Sequence, residues 1–127
     1  MSGRNGGLFG ALRRMVGTNA ELESEDLRRE AERAGADTVA TCAGRQRVVL
    51  QGIIRTVTLP PRSEAPRMEA EFDDGSGTIT LVWLGRREVP GILAGTVLRV
   101  AGRLSVQRGG FVLYNPKYEL VQVPGVS

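Results

Sequence analysis

The 127-residue chain has no histidine, a single cysteine, a single lysine and only six aromatic residues. Without histidine, a triad that uses an imidazole base is excluded, and so is the usual imidazole metal chemistry. One cysteine, Cys42, excludes an internal disulfide and any multi-cysteine zinc site. As a nucleophile Cys42 would lack its usual partner, so it reads as a buried or incidental thiol. No run approaches the roughly 20 apolar residues that a membrane helix needs. The N-terminus lacks the continuous apolar stretch and cleavage site of a secretory signal. These absences predict a cytoplasmic protein with no membrane partner. Asp73 and Asp74 are adjacent carboxylates, but Asp74 fits a turn and no base or metal set completes a site. Neither an enzyme nor a cofactor is expected.

The chain carries 41% hydrophobic and 24% charged residues and a net charge of +3. Residues 1–44 hold six Arg against seven acids (−1), and residues 45–127 hold ten Arg and one Lys against seven acids (+4). A moderately basic second half suits a phosphate-bearing partner, and equally suits solubility alone.

Periodicity divides the chain at about residue 44. Residues 1–44 read as an N-terminal extension of two short helices, with residues 1–6 outside them. Leu8, Phe9, Leu12, Met15 and Val16 recur at helical spacing opposite Arg13 and Arg14. Thr18-Asn19-Ala20-Glu21 fits a capping box for a second helix that carries Leu22, Leu27, Ala31 and Ala34 and stops at Gly35. The apolar stripe is too small to stand alone, which predicts docking on the following domain or on a protein partner; a basic membrane-surface anchor is the alternative.

From Arg47 the period changes to two. Arg47–Leu59 reads as a long strand with Gly52 as its bend, and the proline-rich residues 60–66 as a loop. Met68, Ala70 and Phe72 alternate with Glu69, Glu71 and Asp73 in a second strand. Asp74-Gly75-Ser76-Gly77 turns into a third strand, Thr78–Leu84. Residues 86–93 suit a single helical turn, Thr96–Val106 a fourth strand, and Phe111–Asn115, resuming at Tyr118–Val123, a fifth. This order predicts an all-β fold over residues 45–123, a five-stranded OB-fold barrel, closed or nearly so, followed by a short tail at 124–127. An SH3-like barrel is the chief competitor, but its first strand does not bend in this way. Val48, Leu50, Ile54, Met68, Ala70, Phe72, Ile79, Leu81, Leu98 and Val100 should face the core.

Several residue groups carry a more specific resemblance. They are Val48-x-x-Gln51-Gly52-x-x-Arg55-x-Val57, Met68-Glu69-Ala70-x-x-x-Asp74-Gly75-Ser76-Gly77, Leu81-Val82-Trp83, Gly95-x-x-Leu98-x-Val100-x-Gly102-Arg103 and Tyr114-Asn115-Pro116-x-Tyr118-Glu119-Leu120. In this order they resemble the OB wedge domain of RecG-type branched-DNA helicases. They are still more similar to short stand-alone actinobacterial proteins described as OB-fold nucleic-acid-binding. The resemblance covers about residues 45–123 and implies binding of single-stranded or branched nucleic acid, DNA ahead of RNA, without catalysis. No phosphate loop of the form G-x-x-x-x-G-K-[ST] occurs, so the helicase motor is absent. In the loop after the third strand Leu84 and Glu88 stand at the family's stacking positions, with Arg86 and Arg87 between them.

The candidate binding residues are Arg55, Arg62, Arg67, Trp83, Arg86, Arg87, Arg108 and Lys117. Cations on loops that border one groove suit a phosphate backbone, and Trp83 is either a stacking platform or a core residue. Tyr114 and Tyr118 read more readily as packing residues. A protein-interaction module that uses the barrel without nucleic acid is the alternative, favoured by the carboxylates of the second strand and by the scarcity of aromatics.

Overall fold

A computed structural model describes residues 21–107 and 109–122. The expected first helix, the start of the second, Arg108 and the tail at 124–127 lie outside the described residues.

Residues 21–33 form the one helix described, α1. It ends as its sequence requires. Gly35 takes φ 73°, its N–H donates to the Glu32 carbonyl at 3.0 Å, and the Ala36 N–H reaches back to Ala31 at 2.9 Å. This paired closure needs a left-handed residue just past the helix, where glycine has no Cβ to clash. Of the expected apolar stripe, Ala31 is buried, whereas Leu22 is exposed.

Seven strands follow: β1 (Arg47–Thr58), β2 (Arg67–Asp73), β3 (Thr78–Leu84), β4 (Val97–Arg103), β5 (Ser105–Gln107), β6 (Gly110–Tyr114) and β7 (Lys117–Gln122). They make one sheet in the order β5-β6-β3-β2-β1-β4-β7. Five strands were expected; the fourth is interrupted at Leu104 and the fifth at Asn115-Pro116, which gives seven. The edge strands β5 and β7 do not pair with each other, so hydrogen bonds do not close the sheet into the expected barrel. The sheet nevertheless wraps one core. Leu50, Phe72, Leu81, Leu98 and Leu113, from five different strands, are all fully buried together. All ten residues expected to face inward are buried.

Two local devices set this shape. β1 pairs with β4 from Arg47 to Ile53 and with β2 from Ile53 to Thr58. At the change of partner stands Gly52, where a Cβ would collide with the Asp73 carbonyl. The bulge itself falls two residues later, between Ile54 and Thr56. The second device is Asn115 at φ 49°. Its N–H donates to the Val82 carbonyl at 2.6 Å and its side-chain oxygen accepts from the Leu84 N–H at 2.9 Å. The side chain thus takes over the ladder where β6 leaves β3, and Pro116, which has no N–H to offer, starts the chain toward β4.

The 3-10 turn Val39–Thr41 docks on the β2–β3 connection through Asp74, which is 1% exposed, and α1 lies against Gly75 of the same connection. One Asp74 oxygen accepts from the Ser76 and Gly77 N–H groups (2.8 and 3.1 Å) and the Ser76 hydroxyl (2.7 Å). The other accepts from the Val39 N–H at 2.9 Å. Asp37 covers the edge of β1 left open before the partner change: it donates to the Val49 carbonyl at 2.7 Å and accepts the Val49 N–H at 2.9 Å.

Candidate functional site

The antiparallel order of β1, β2 and β3 brings two loops to one end of the sheet, residues 59–66 and the segment after Leu84. Gly85 donates to the Pro66 carbonyl at 2.9 Å. Arg87 makes the firmer tie, donating to the carbonyls of Pro60 (3.1 Å), Pro61 (3.2 Å) and Glu64 (3.0 Å). A guanidinium fork that meets three backbone acceptors holds a loop in place, which is different work from clamping a phosphate. The structure shows Arg87, expected as a phosphate clamp, as a staple between the two loops. It fixes the two loops that carry Arg62 and Arg86, both of them exposed. Among the described residues neither has an ion-pair partner.

The remaining candidates divide. Arg67 lies at the same end but is bound to Glu69 (2.9 Å) and Glu64 (3.6 Å). Arg55, at the bulge of β1, bonds to Asp73 (3.1 Å) and Glu23 (3.2 Å). Burial works against its charge, but the hydrogen bonds to Glu23 and Asp73 outweigh it and leave its pKa above the ordinary arginine value. Its charge is answered within the molecule, where it anchors α1 to the sheet; it does not join the loop cations. Trp83 is 4% exposed and meets the Tyr118 ring edge-on at 5.8 Å. It is a core residue with no open face for a base, which corrects the platform reading. The Tyr118 hydroxyl donates to the Pro90 carbonyl at 2.7 Å. Lys117 is exposed on β7, where it pairs with Ala101 of β4.

Between the loops and β5 the outer face of β1, β2, β3 and β6 forms an open groove of about 350 Å³ lined by Thr56, Thr58, Thr80, Glu69, Glu71 and Phe111. Tyr114, 39% exposed, stands beside Val82 in the parallel β3–β6 pairing. Tyr114 is the exposed aromatic on this side, whereas Phe111, half-buried at the groove edge, packs against the core. Glu71 lies opposite Thr80, so the groove floor is polar and anionic while its loop end is cationic. Among the described residues no group of three metal-ligating side chains occurs. No described helix is long and apolar enough to cross a membrane. The Cys42 thiol donates to the Thr38 carbonyl at 3.1 Å; burial, with Asp37 and Asp74 nearby, pushes its pKa up.

Residues 48–121 match the family described as OB-fold nucleic acid binding domain (tRNA anti-codon). The chain belongs to this family. Among solved structures the fold is similar to the p204 HINb domain, with TM-score 0.55 and 15% identity over 68% of this chain and 47% of that one. A replication protein A heterotrimer bound to ssDNA matches at TM-score 0.48 and 15% identity, over 59% of this chain and 57% of that one. The chain thus spans about half the length of the structures it matches. No curated protein sequence matches it.

One cluster on this OB domain escaped the sequence reading. Arg45, Arg47 and Arg103 are exposed, with Arg47 and Arg103 directly opposite in the β1–β4 pairing. Their separation by more than fifty positions in the chain leaves no local signal; only the register of the strands brings them together.

Proposed function

We propose that this OB domain is a non-catalytic module for single-stranded or branched nucleic acid, DNA ahead of RNA. In this reading Arg62 and Arg86 hold the backbone, and bases lie toward Tyr114. The observation that carries it is the Arg87 staple, which presents two cations without ion-pair partners on loops of fixed position. A preset loop binds without the ordering cost of a floppy one. Membership of a nucleic-acid-binding family supports the reading, as does the sequence resemblance to the wedge of branched-DNA helicases. By that finer analogy the module recognises a fork without a motor of its own. Glu69 and Glu71 repel phosphates from the groove floor, so the backbone is expected at the loops and the binding to be moderate in affinity.

The test is a mobility-shift series with single-stranded, duplex and forked DNA at several salt concentrations. The Arg62→Ala/Arg86→Ala double variant should weaken single-strand binding similarly for all sequences. The slope of log affinity against log salt should fall by about 0.7 for each phosphate that is no longer neutralised. A parent protein that binds none of the three at low salt sinks the reading. The protein-interaction alternative, supported by the exposed Leu59 and Leu84 beside the same loops, would then take its place.

A further inference from the structure

The outer face of β1, β4 and β7 carries cations that the loop site does not use. Arg47 of β1 and Arg103 of β4 are direct partners in antiparallel register. Like charges in that position weaken a sheet, so the pair is not explained by stability. Lys117 of β7 pairs with Ala101, two residues from Arg103 and on the same face. Arg103 is held in place by donating to the Arg45 carbonyl at 2.9 Å, and Arg45 is exposed with φ 65°. Among the described residues no carboxylate lies within ion-pair reach of Arg45, Arg47, Arg103 or Lys117. The neighbouring Glu119 is bound to Arg99 at 3.1 Å, and Asp37 accepts the Val49 N–H at 2.9 Å.

We propose that this face binds the phosphate backbone of a duplex arm, so that a branched substrate spans the domain with its single strand at the 59–66 and 85–87 loops. The inference rests on the function proposed above and specifies its substrate. A duplex is favoured because the residues between the cations are Val49 and Ala101. No described aromatic side chain opens onto this face, and single-strand sites rely on aromatic stacking as well as charge. A duplex needs only charge, presenting one phosphate per roughly 1.7 Å of axis to cations on strands about 5 Å apart. The two sites use different side chains, Arg47, Arg103 and Lys117 in one and Arg62 and Arg86 in the other, so each can be altered without substituting a residue of the other.

The decisive variant is Arg47→Glu. It faces Arg103, so it replaces repulsion with attraction, and the fold should stay at least as stable while a phosphate is repelled. Fluorescence anisotropy of the full chain would use three probes, a short single-stranded DNA, a blunt duplex and a fork, across a salt series. Arg47→Glu and, less strongly, Lys117→Ala should weaken duplex and fork binding, Arg47→Glu by roughly tenfold. Each should lower the salt slope by about 0.9 for every duplex phosphate left without its cation. Single-strand binding should not change. If both variants bind duplex and fork as the parent does, while Arg62→Ala/Arg86→Ala weakens the single strand, the duplex face is wrong and the proposed function stands. If the parent binds no probe at low salt, both fall. Binding of polyglutamate that Arg47→Glu abolishes, with no duplex binding, would assign the face to an acidic protein and overturn the inference.

Discussion

One strand serves two surfaces of opposite chemistry. After the change of partner at Gly52, β1 lies beside β2 and its outer face joins a groove lined mainly by threonines and glutamates. Before it, β1 lies beside β4, and the outer face carries Arg47, Arg103 and Lys117 around small or apolar residues. The first surface has partners for most of its charges: Arg67 answers Glu69 and Arg55 answers Asp73. The second pairs Arg99 with Glu119 but, among the described residues, leaves Arg47, Arg103 and Lys117 without a carboxylate in ion-pair reach. Charge that a protein neutralises internally supports the fold, and charge it leaves unanswered is available to a ligand.

The most severe way to break this comparison is to loosen the buried turn on which the whole sheet depends. Asp74→Ala removes an almost fully buried acceptor and strands the N–H groups of Val39, Ser76 and Gly77. Hydrogen bonds to a charged group are worth roughly 1.5–3 kcal/mol each, and water can re-satisfy some of the donors. A loss of about 3 kcal/mol or more in a urea melt is expected, with the Val39–Thr41 turn released from the β2–β3 connection. Gly52→Ala should come next. The added methyl meets backbone, which cannot rotate away, so about 2–3 kcal/mol is expected. A fully stable Gly52→Ala protein would show that the partner change does not depend on that close approach.

The sequence displayed much of the fold, because alternation and turns are local signals. Met68-x-Ala70-x-Phe72 told inside from outside, Asp74-Gly75-Ser76-Gly77 told the turn, and Gly35 told the end of α1. Strand division at Leu104 and the pairing of β6 with β3 are set by which segments meet across the sheet, and a window of ten residues does not contain that information. The site was less legible for the same reason. Arg86 and Arg87 are adjacent and chemically identical, yet one faces solvent and the other staples a loop some twenty-five positions earlier. Trp83 follows Ile79 and Leu81 in strict alternation, which points to the core; a place at the strand end is also compatible with an open platform, and only its burial separates the two.

Arg87→Ala sharpens the comparison at the groove end. The side chain is only part-buried and its bonds compete with water, so the stability loss should be about 1 kcal/mol. Its effect on single-strand binding should nevertheless match or exceed that of Arg86→Ala, since two loops lose their fixed relation. Duplex binding at the face of β1, β4 and β7 should be unchanged. Equal and small effects of both variants on single-strand affinity would argue that loop position is immaterial.

The smallest expected effect concerns the Arg47–Arg103 pair and is a matter of sign. Directly opposed like charges in a sheet are unfavourable by a few tenths of a kcal/mol, and opposite charges are favourable by a similar amount. Arg47→Glu should therefore raise stability by roughly 0.5 kcal/mol at low ionic strength. Salt screens exposed charges over about 10 Å at 0.1 M and about 3 Å at 1 M. The parent's repulsion and the variant's attraction both fade, and the two melting temperatures should converge as salt is added. Duplex DNA should reverse the order at low salt, since a ligand that binds only the folded parent stabilises it by mass action. Thermal melts of both proteins at low and high salt, with and without duplex, give the result directly. If the variant is less stable than the parent without DNA, Arg47 supports the fold through an interaction other than the opposed pair, and its unanswered charge no longer marks a site.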